Sequence, residues 1–203
     1  MQYLTIYPSS IDERSISKAV KALRDGAIII YPTDTVYALG CDALNNRAIE
    51  RLCAYKGINP EKQHLSVVCS DISQAAEYAR IDNHAFAMLK RNLPGPFTFI
   101  LPASTKLPKA FKGRRTVGIR VPDCDITRQL AQALGNPILS ASVKIDSEHP
   151  EEATLPESIE MNHENIADLI IDGGEGGLQL STVVDCTDSS SPEIVRKGKG
   201  NLL

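Results

Sequence analysis

Hydroxyl, carboxylate and guanidinium groups gather in this sequence where apolar runs end. The run 27–31, Ala-Ile-Ile-Ile-Tyr, gives way to Pro32, Thr33, Asp34 and Thr35. Pro32 cannot donate to a sheet ladder, so it closes the strand and sets two hydroxyls and a carboxylate at its carboxyl end, where open α/β sheets bind ligands. A plain strand-end turn, with Asp34 and Thr35 bonding to backbone, accounts for the same residues equally well. In the stretch 114–122, Arg-Arg-Thr-Val-Gly-Ile-Arg-Val-Pro, strand alternation puts Thr116, Gly118 and Arg120 on one face and Val117, Ile119 and Val121 on the other. Arginine is costly to bury unpaired. Arg120 therefore meets a carboxylate of the protein or awaits an anionic ligand, and its planar fork suits carboxylate or phosphate. Ser140 and Ser142 alternate at the end of a further apolar run, where satisfied core serines are the plain reading. Ser181 and Arg196 sit at the ends of the runs 182–185 and 194–196, and Pro94-Gly95-Pro96-Phe97-Thr98 reads as a rigid turn into a strand.

Several standard sites are missing from the sequence. It has no G-x-x-x-x-G-K-[ST] run and no G-x-G-x-x-G after a strand, and His64, His84, His149 and His163 lack metal-ligand spacing. A nucleotide site would have to be built from scattered strand-end hydroxyls with Arg and Lys, with magnesium arriving on the phosphates of ATP and no metal held by the protein itself. No nucleophile has a recognisable base, which disfavours a covalent hydrolase. Cys41, Cys53, Cys69, Cys124 and Cys186 form no C-x-x-C pair and read as free thiols.

The elements that must position these groups follow an α/β grammar. Asp12 caps a helix whose apolar positions Ile16, Ala19, Val20 and Leu23 recur at helical spacing, with Gly26 as its left-handed stop. Helical stretches are expected near 46–55, 71–79, 83–92 and 126–134, with Asp71, Asp82 and Asp125 as N-caps and Gly135 as a stop. Strands are expected near 27–31, 65–69, 97–102, 117–121 and 138–142, with later ones at 169–171 and 182–184 flanking a glycine-rich turn at 173–177. The fold class is α/β: one twisted, partly open mixed sheet with helices packed around it and a basic concave cleft, in a single domain over 1–203. The net charge of −3 is unevenly spread. Residues 106–120 carry six basic residues and no acid, whereas 146–165 carry seven acids and no Lys or Arg. The acidic stretch reads as a mobile loop able to act as a lid. No apolar run is long enough for a bilayer and no signal peptide opens the chain, so a cytoplasmic location without membrane partners is expected.

Taken in order, Pro32-Thr33-Asp34-Thr35-Val36-Tyr37, Pro94-Gly95-Pro96-Phe97-Thr98, Val117-Gly118-Ile119-Arg120-Val121-Pro122, Ser181-Thr182-Val183-Val184-Asp185 and Arg196 resemble the YrdC/YciO-like family over nearly the whole chain. The resemblance implies L-threonylcarbamoyl-AMP synthesis from ATP, bicarbonate and L-threonine, with pyrophosphate released, for a tRNA modification. It implies Lys56 and Arg120 as catalytic residues, Thr35, Arg120, Ser140 and Ser181 at the threonine, and Lys56, Thr116, Ser142 and Arg196 at the ATP. Three departures set the chain apart from synthases and toward the YciO branch. Ile58 stands where Lys-x-Arg-Pro has its arginine, Lys144 where Ser-Ala-Asn has its asparagine, and Val68 where a histidine is expected. The competing reading is a double-stranded RNA or tRNA-binding module on Lys109, Lys112, Arg114 and Arg115, joined by Lys144, Lys197 and Lys199. RNA helices are recognised largely by shape and backbone, so such a site needs no base-reading motif.

Overall fold

The computed structural model describes residues 1–59, 65–107, 111 and 115–203. Its elements run β1 (Gln2–Thr5), α1 (Glu13–Arg24), β2 (Ile29–Tyr31), β3 (Ala38–Asp42), α2 (Asn46–Lys56), β4 (Ser66–Val68), α3 (Ile72–Tyr78), α4 (Asn83–Asn92) and β5 (Phe97–Pro102). They continue with β6 (Thr116–Arg120), α5 (Asp125–Leu134), β7 (Ile138–Ser142), a 3-10 turn at Pro150–Ala153, α6 (Pro156–His163), β8 (Leu169–Asp172), β9 (Thr182–Asp185) and β10 (Glu193–Arg196). The ten strands form one mixed sheet in the order β1-β8-β2-β3-β7-β4-β6-β5-β9-β10. The pairs β1/β8, β8/β2, β4/β6 and β5/β9 are parallel, and the other five are antiparallel. The expected α/β sheet wrapped by helices is therefore the fold observed.

Local signals place the helices. The Asp12 carboxylate accepts from the backbone N–H groups of Arg14 and Ser15, Asp71 caps Gln74 and Asp82 caps Ala85, while Gly135 ends α5 at φ 84°. At α5 the start differs from expectation. Cys124 holds the cap position without a side-chain bond, and Asp125 is the first helical residue, its carboxylate pairing with Arg128 one turn on. The acidic 146–165 stretch also differs, since it folds into the 3-10 turn and α6 and is not a plain loop. Pro156 at the first helical position is the start signal there, and only Pro156, Ile159 and His163 bury, too few to make an apolar stripe. Two strands are unexpected: β1 has no apolar run, and in β3 Gly40 interrupts the buried apolar residues Ala38, Leu39 and Cys41. β1 is mostly exposed at a sheet edge.

Each sheet face has its own core. On one, Ile29, Tyr31, Ala38, Val68, Ile138, Leu169 and Ile171 pack beneath α1 and α5, with Leu23 and Leu130 fully buried between them. On the other, Leu39, Val67, Phe99, Val117, Ile119, Leu139 and Ile170 pack against α2, α3, α4 and α6. Along β4 and β7 the first face passes from Val68 and Ile138, covered by helix, to Ser66, Ser140 and Ser142, where apolar cover ends. Leu23→Ala should cost about 2–5 kcal/mol of stability. The expected result is a lower denaturation midpoint with an unchanged m-value.

Candidate ligand-binding cavity

A row of small residues crosses the sheet where the helices stop. In register, Gly40 lies opposite Ser140, Ser140 opposite Ser66, Ser66 opposite Gly118, and Gly118 opposite Ile100. Four consecutive strands thus present a hydrogen atom or a hydroxymethyl group, and the face sinks into a trough. A Cβ on Gly118 would come within 2.6 Å of Ser66 Oγ, so the trough is closely fitted at its floor. Leu52, Cys53, Lys56 and Ile58 form one wall, Ala141, Ser142, Val143 and Ile145 a second, and Leu180, Ser181, Val183, Val195 and Arg196 a third. The trough holds a volume of about 690 Å3, the size of a small-molecule pocket. Among the residues lining it, the charged ones are Lys56, Arg120 and Arg196, all cations.

Arg120 closes β6 with its side chain only 6% exposed. Its Nη2 donates to Asp34 Oδ1 at 3.2 Å and to Thr35 Oγ1 at 3.0 Å, while its Nε is buried without a hydrogen-bond partner. Both alternatives left open by the sequence are thus present in one side chain, which meets a protein carboxylate and keeps one donor unused. Asp34 is held in turn. Its Oδ2 accepts from the Asp123 backbone N–H at 2.9 Å, and its carbonyl accepts from Lys199 Nζ at 2.6 Å. The Thr33 hydroxyl donates to Val36 O and accepts from Thr35 N, and the Gly177 N–H bonds Thr35 O at 3.0 Å. A Cβ on Gly177 would sit 2.5 Å from that carbonyl, which only glycine permits.

The other cations are held by backbone. Lys56 Nζ donates to Ser142 O at 2.7 Å, and Arg196 donates to Ser181 O and Oγ at 2.8 and 3.1 Å. Burial pushes the Lys56 ammonium below an ordinary lysine, and nearby Lys144 adds to this; burial and then the facing Arg120 likewise lower Arg196. Ser181 also shares a hydrogen bond with Thr98 at 2.9 Å, and Tyr31 donates to Ser140 at 2.7 Å.

Of the residues singled out by sequence, Lys56, Arg120, Ser140, Ser142, Ser181 and Arg196 line this one cavity, and Thr35 touches it through Arg120. Thr116 does not line it; it opens β6, four residues from Arg120. Arg115 is exposed beside it, while Lys109, Lys112 and Arg114 lie outside the described residues, as does His64. Of the three departures only Ile58 lines the cavity, since Val68 is buried under α5 and Lys144 is exposed beside a separate cleft with His149 and His163. Ser66, Thr98 and Gly118 were not expected as floor residues. The available signal was a polar residue between Phe97 and Phe99, which alternation turns to the opposite face. All five cysteines are free, no group of three His, Cys, Asp or Glu among the described residues is placed to hold a metal, and no described helix is long and apolar enough to cross a membrane.

Fold and site together define an α/β protein with a cation-walled cavity of small-molecule size. Comparison with known proteins gives its family: residues 21–198 match the Sua5/YciO/YrdC model, described as telomere recombination, and the chain belongs to that family. It is 38% identical to the uncharacterised protein YciO of Escherichia coli K12 over 203 residues, 99% of this chain and 97% of that one, and the E. coli YciO crystal structure superposes with a TM-score of 0.89, covering 98% and 97% of the two chains. A threonylcarbamoyl-AMP synthase of Halorhodospira halophila is 32% identical over 83% of this chain and 88% of its own. The structure of P. abyssi Sua5 complexed with L-threonine matches at TM-score 0.83 and 29% identity, covering 98% of this chain and 58% of Sua5.

Removing Asp34 leaves a buried guanidinium without its counterion. Asp34→Ala should therefore destabilise the fold by about 3–5 kcal/mol, read by chemical denaturation, and the loss should largely disappear when Arg120→Met is added.

Proposed function

We propose that this protein binds ATP, with its magnesium, and L-threonine or a close relative in the cavity, and joins them through bicarbonate into a threonylcarbamoyl-AMP-type adenylate. The observation that carries this is a wall whose charged members are all cations, one of them with a buried, unpartnered N–H. ATP and an amino acid bring the phosphates and carboxylate that such a wall would attract. On this reading Arg120 takes the amino-acid carboxylate, with Thr35, Ser140 and Ser181 around it. Lys56, Ser142 and Arg196 face the phosphates, and Thr116 joins them if the nucleotide reaches past Gly118 to the start of β6.

The chemistry then needs little beyond alignment. The threonine amine takes carbon from bicarbonate with loss of water, giving a carbamate. A carbamate oxygen attacks the α-phosphorus, the bond to the β-phosphate breaks, and pyrophosphate departs. Cations beside the phosphates offset the charge that builds on the leaving group, and proximity supplies up to roughly 7–11 kcal/mol of the barrier reduction. Membership of a family containing threonylcarbamoyl-AMP synthases supports the substrate class, and the P. abyssi complex supports the amino acid.

The first test is protein with ATP, magnesium, bicarbonate and L-threonine, following pyrophosphate release and adenylate mass. Threonine-dependent product supports the reading. ATP binding without turnover removes the synthesis step, and retention of double-stranded RNA or tRNA that falls steeply with salt would move the function to the basic run at 106–120. Arg120→Ala is expected to abolish threonine binding, and unchanged affinity would remove the site assignment. The lowered ammonium of Lys56 gives a pH dependence: ATP affinity should fall toward alkaline pH, beginning below the range in which a free lysine loses its proton. Lys56→Met should bind more weakly at neutral pH and lose that alkaline limb.

A further inference from the structure

Tyr31 lies outside every ligand-contact role assigned above, yet among the described residues it is the one fully buried phenol bonded to a cavity residue. It sits at the end of β2, with its ring in the core beneath α1 and α5. Its hydroxyl reaches Ser140 on β7, two strands away, at 2.7 Å. The strand between is β3, and the residue opposite Ser140 there is Gly40. A Cβ on Gly40 would lie 2.6 Å from a Tyr31 ring carbon and 2.7 Å from an Ile138 methyl. The glycine at the centre of β3 is therefore what lets the ring lie across that strand. The arrangement fixes the phenol by packing, which holds a ring far more firmly than its single hydrogen bond does.

The polarity of that bond matters. Burial pushes the phenol up to about 12, so it stays protonated across the physiological range and can donate. A serine hydroxyl has one hydrogen and two acceptor lone pairs. When Tyr31 donates into one lone pair, the Ser140 hydrogen is left for another partner, and Ser140 lines the cavity.

We infer that Tyr31 is a positioning residue that sets Ser140 as a hydrogen-bond donor toward an acceptor oxygen of the amino-acid substrate. This rests on the proposed function for the identity of that substrate. The one hydrogen left on Ser140 can go only to an acceptor, so an oxygen placed there gains affinity, while the second lone pair stays open to a donor. Tyr31 touches the ligand only through Ser140.

A double-mutant cycle tests it, with L-threonine and magnesium-ATP titrated separately into wild type, Tyr31→Phe, Ser140→Ala and the double variant. Tyr31→Phe keeps the ring and the packing. It should weaken L-threonine about tenfold, the scale of one hydrogen bond to a charged group, while ATP affinity stays within about twofold. Ser140→Ala should give a similar loss, and the double variant no more than either alone. Tyr31→Phe binding threonine as wild type does, or losses that multiply in the double variant, overturns the positioning role while leaving the proposed function in place. Wild type that fails to bind L-threonine overturns the proposed function and this inference with it. An equal loss of ATP and threonine affinity in Tyr31→Phe would mark a general packing defect and likewise overturn the role.

Discussion

The buried contact between Arg120 and Asp34 is the constraint on which the cavity depends. β2, from whose end Asp34 emerges, and β6, which ends in Arg120, are separated in the sheet by β3, β7 and β4. Four strand spacings amount to about 19 Å in a flat sheet, yet the two side chains meet at 3.2 Å. The loop 32–36 must therefore lie across strand ends, and the length of an arginine side chain spans much of what remains. A buried ion pair is poor evidence of net stability, because desolvation offsets most of its attraction. Its better-attested use is specification: only one placement of loop 32–36 satisfies both oxygens of Asp34, through Arg120 and the Asp123 N–H, together with its carbonyl, through Lys199. Gly177 adds a fourth hold at Thr35. Three separate parts of the chain, 120–123, Gly177 and Lys199, thus converge on two residues, as expected where a site must be rigid before its ligand arrives.

The trough rests on a second constraint, the omission of side chains. Gly40, Ser140, Ser66 and Gly118 occupy one register row, and larger residues there would rebuild the apolar face that α1 and α5 cover elsewhere. Glycine within a strand weakens it. β3 and β6 accept that cost because their other faces carry Leu39, Cys41, Val117 and Ile119 into the opposite core. The alternation of the sheet thus separates tasks, one side of each central strand holding the fold and the other forming the cavity.

This division also explains what could be read from sequence. The strands at 97–102 and 138–142 and the helices capped by Asp12, Asp71 and Asp82 carry their signals locally, as do the glycine stops at Gly26 and Gly135. The face shared by Gly118 and Arg120 follows from alternation alone. β3 was illegible because its central glycine serves a ring on another strand, and α6 because it buries three residues and needs no stripe. The Asp34 and Arg120 pairing joins residues 86 apart in the chain, and nothing local marks it. Ser66 and Thr98 gain meaning only from register. Ser140 could be named from sequence, but its partner Tyr31 reads there as one more apolar strand residue.

The three departures from the synthase pattern are unequal once placed. Val68 is sealed beneath a helix, so exchanging it for a histidine changes packing before it changes chemistry. Lys144 is exposed and acts on the cavity at a distance, through its lowering of the Lys56 ammonium. Ile58 alone lines the cavity, next to Lys56, where an arginine would add a second charge to that wall. Under the proposed function Arg120, Thr35, Ser140 and Ser181 serve the amino acid, and none of the departures falls among them. Of the three, Ile58 alone lies in the wall assigned to phosphate. A lost phosphate contact weakens the step in which charge builds on pyrophosphate more than it weakens amino-acid recognition. On that proposal, divergence of this kind alters turnover or the activated partner before it alters which amino acid is held.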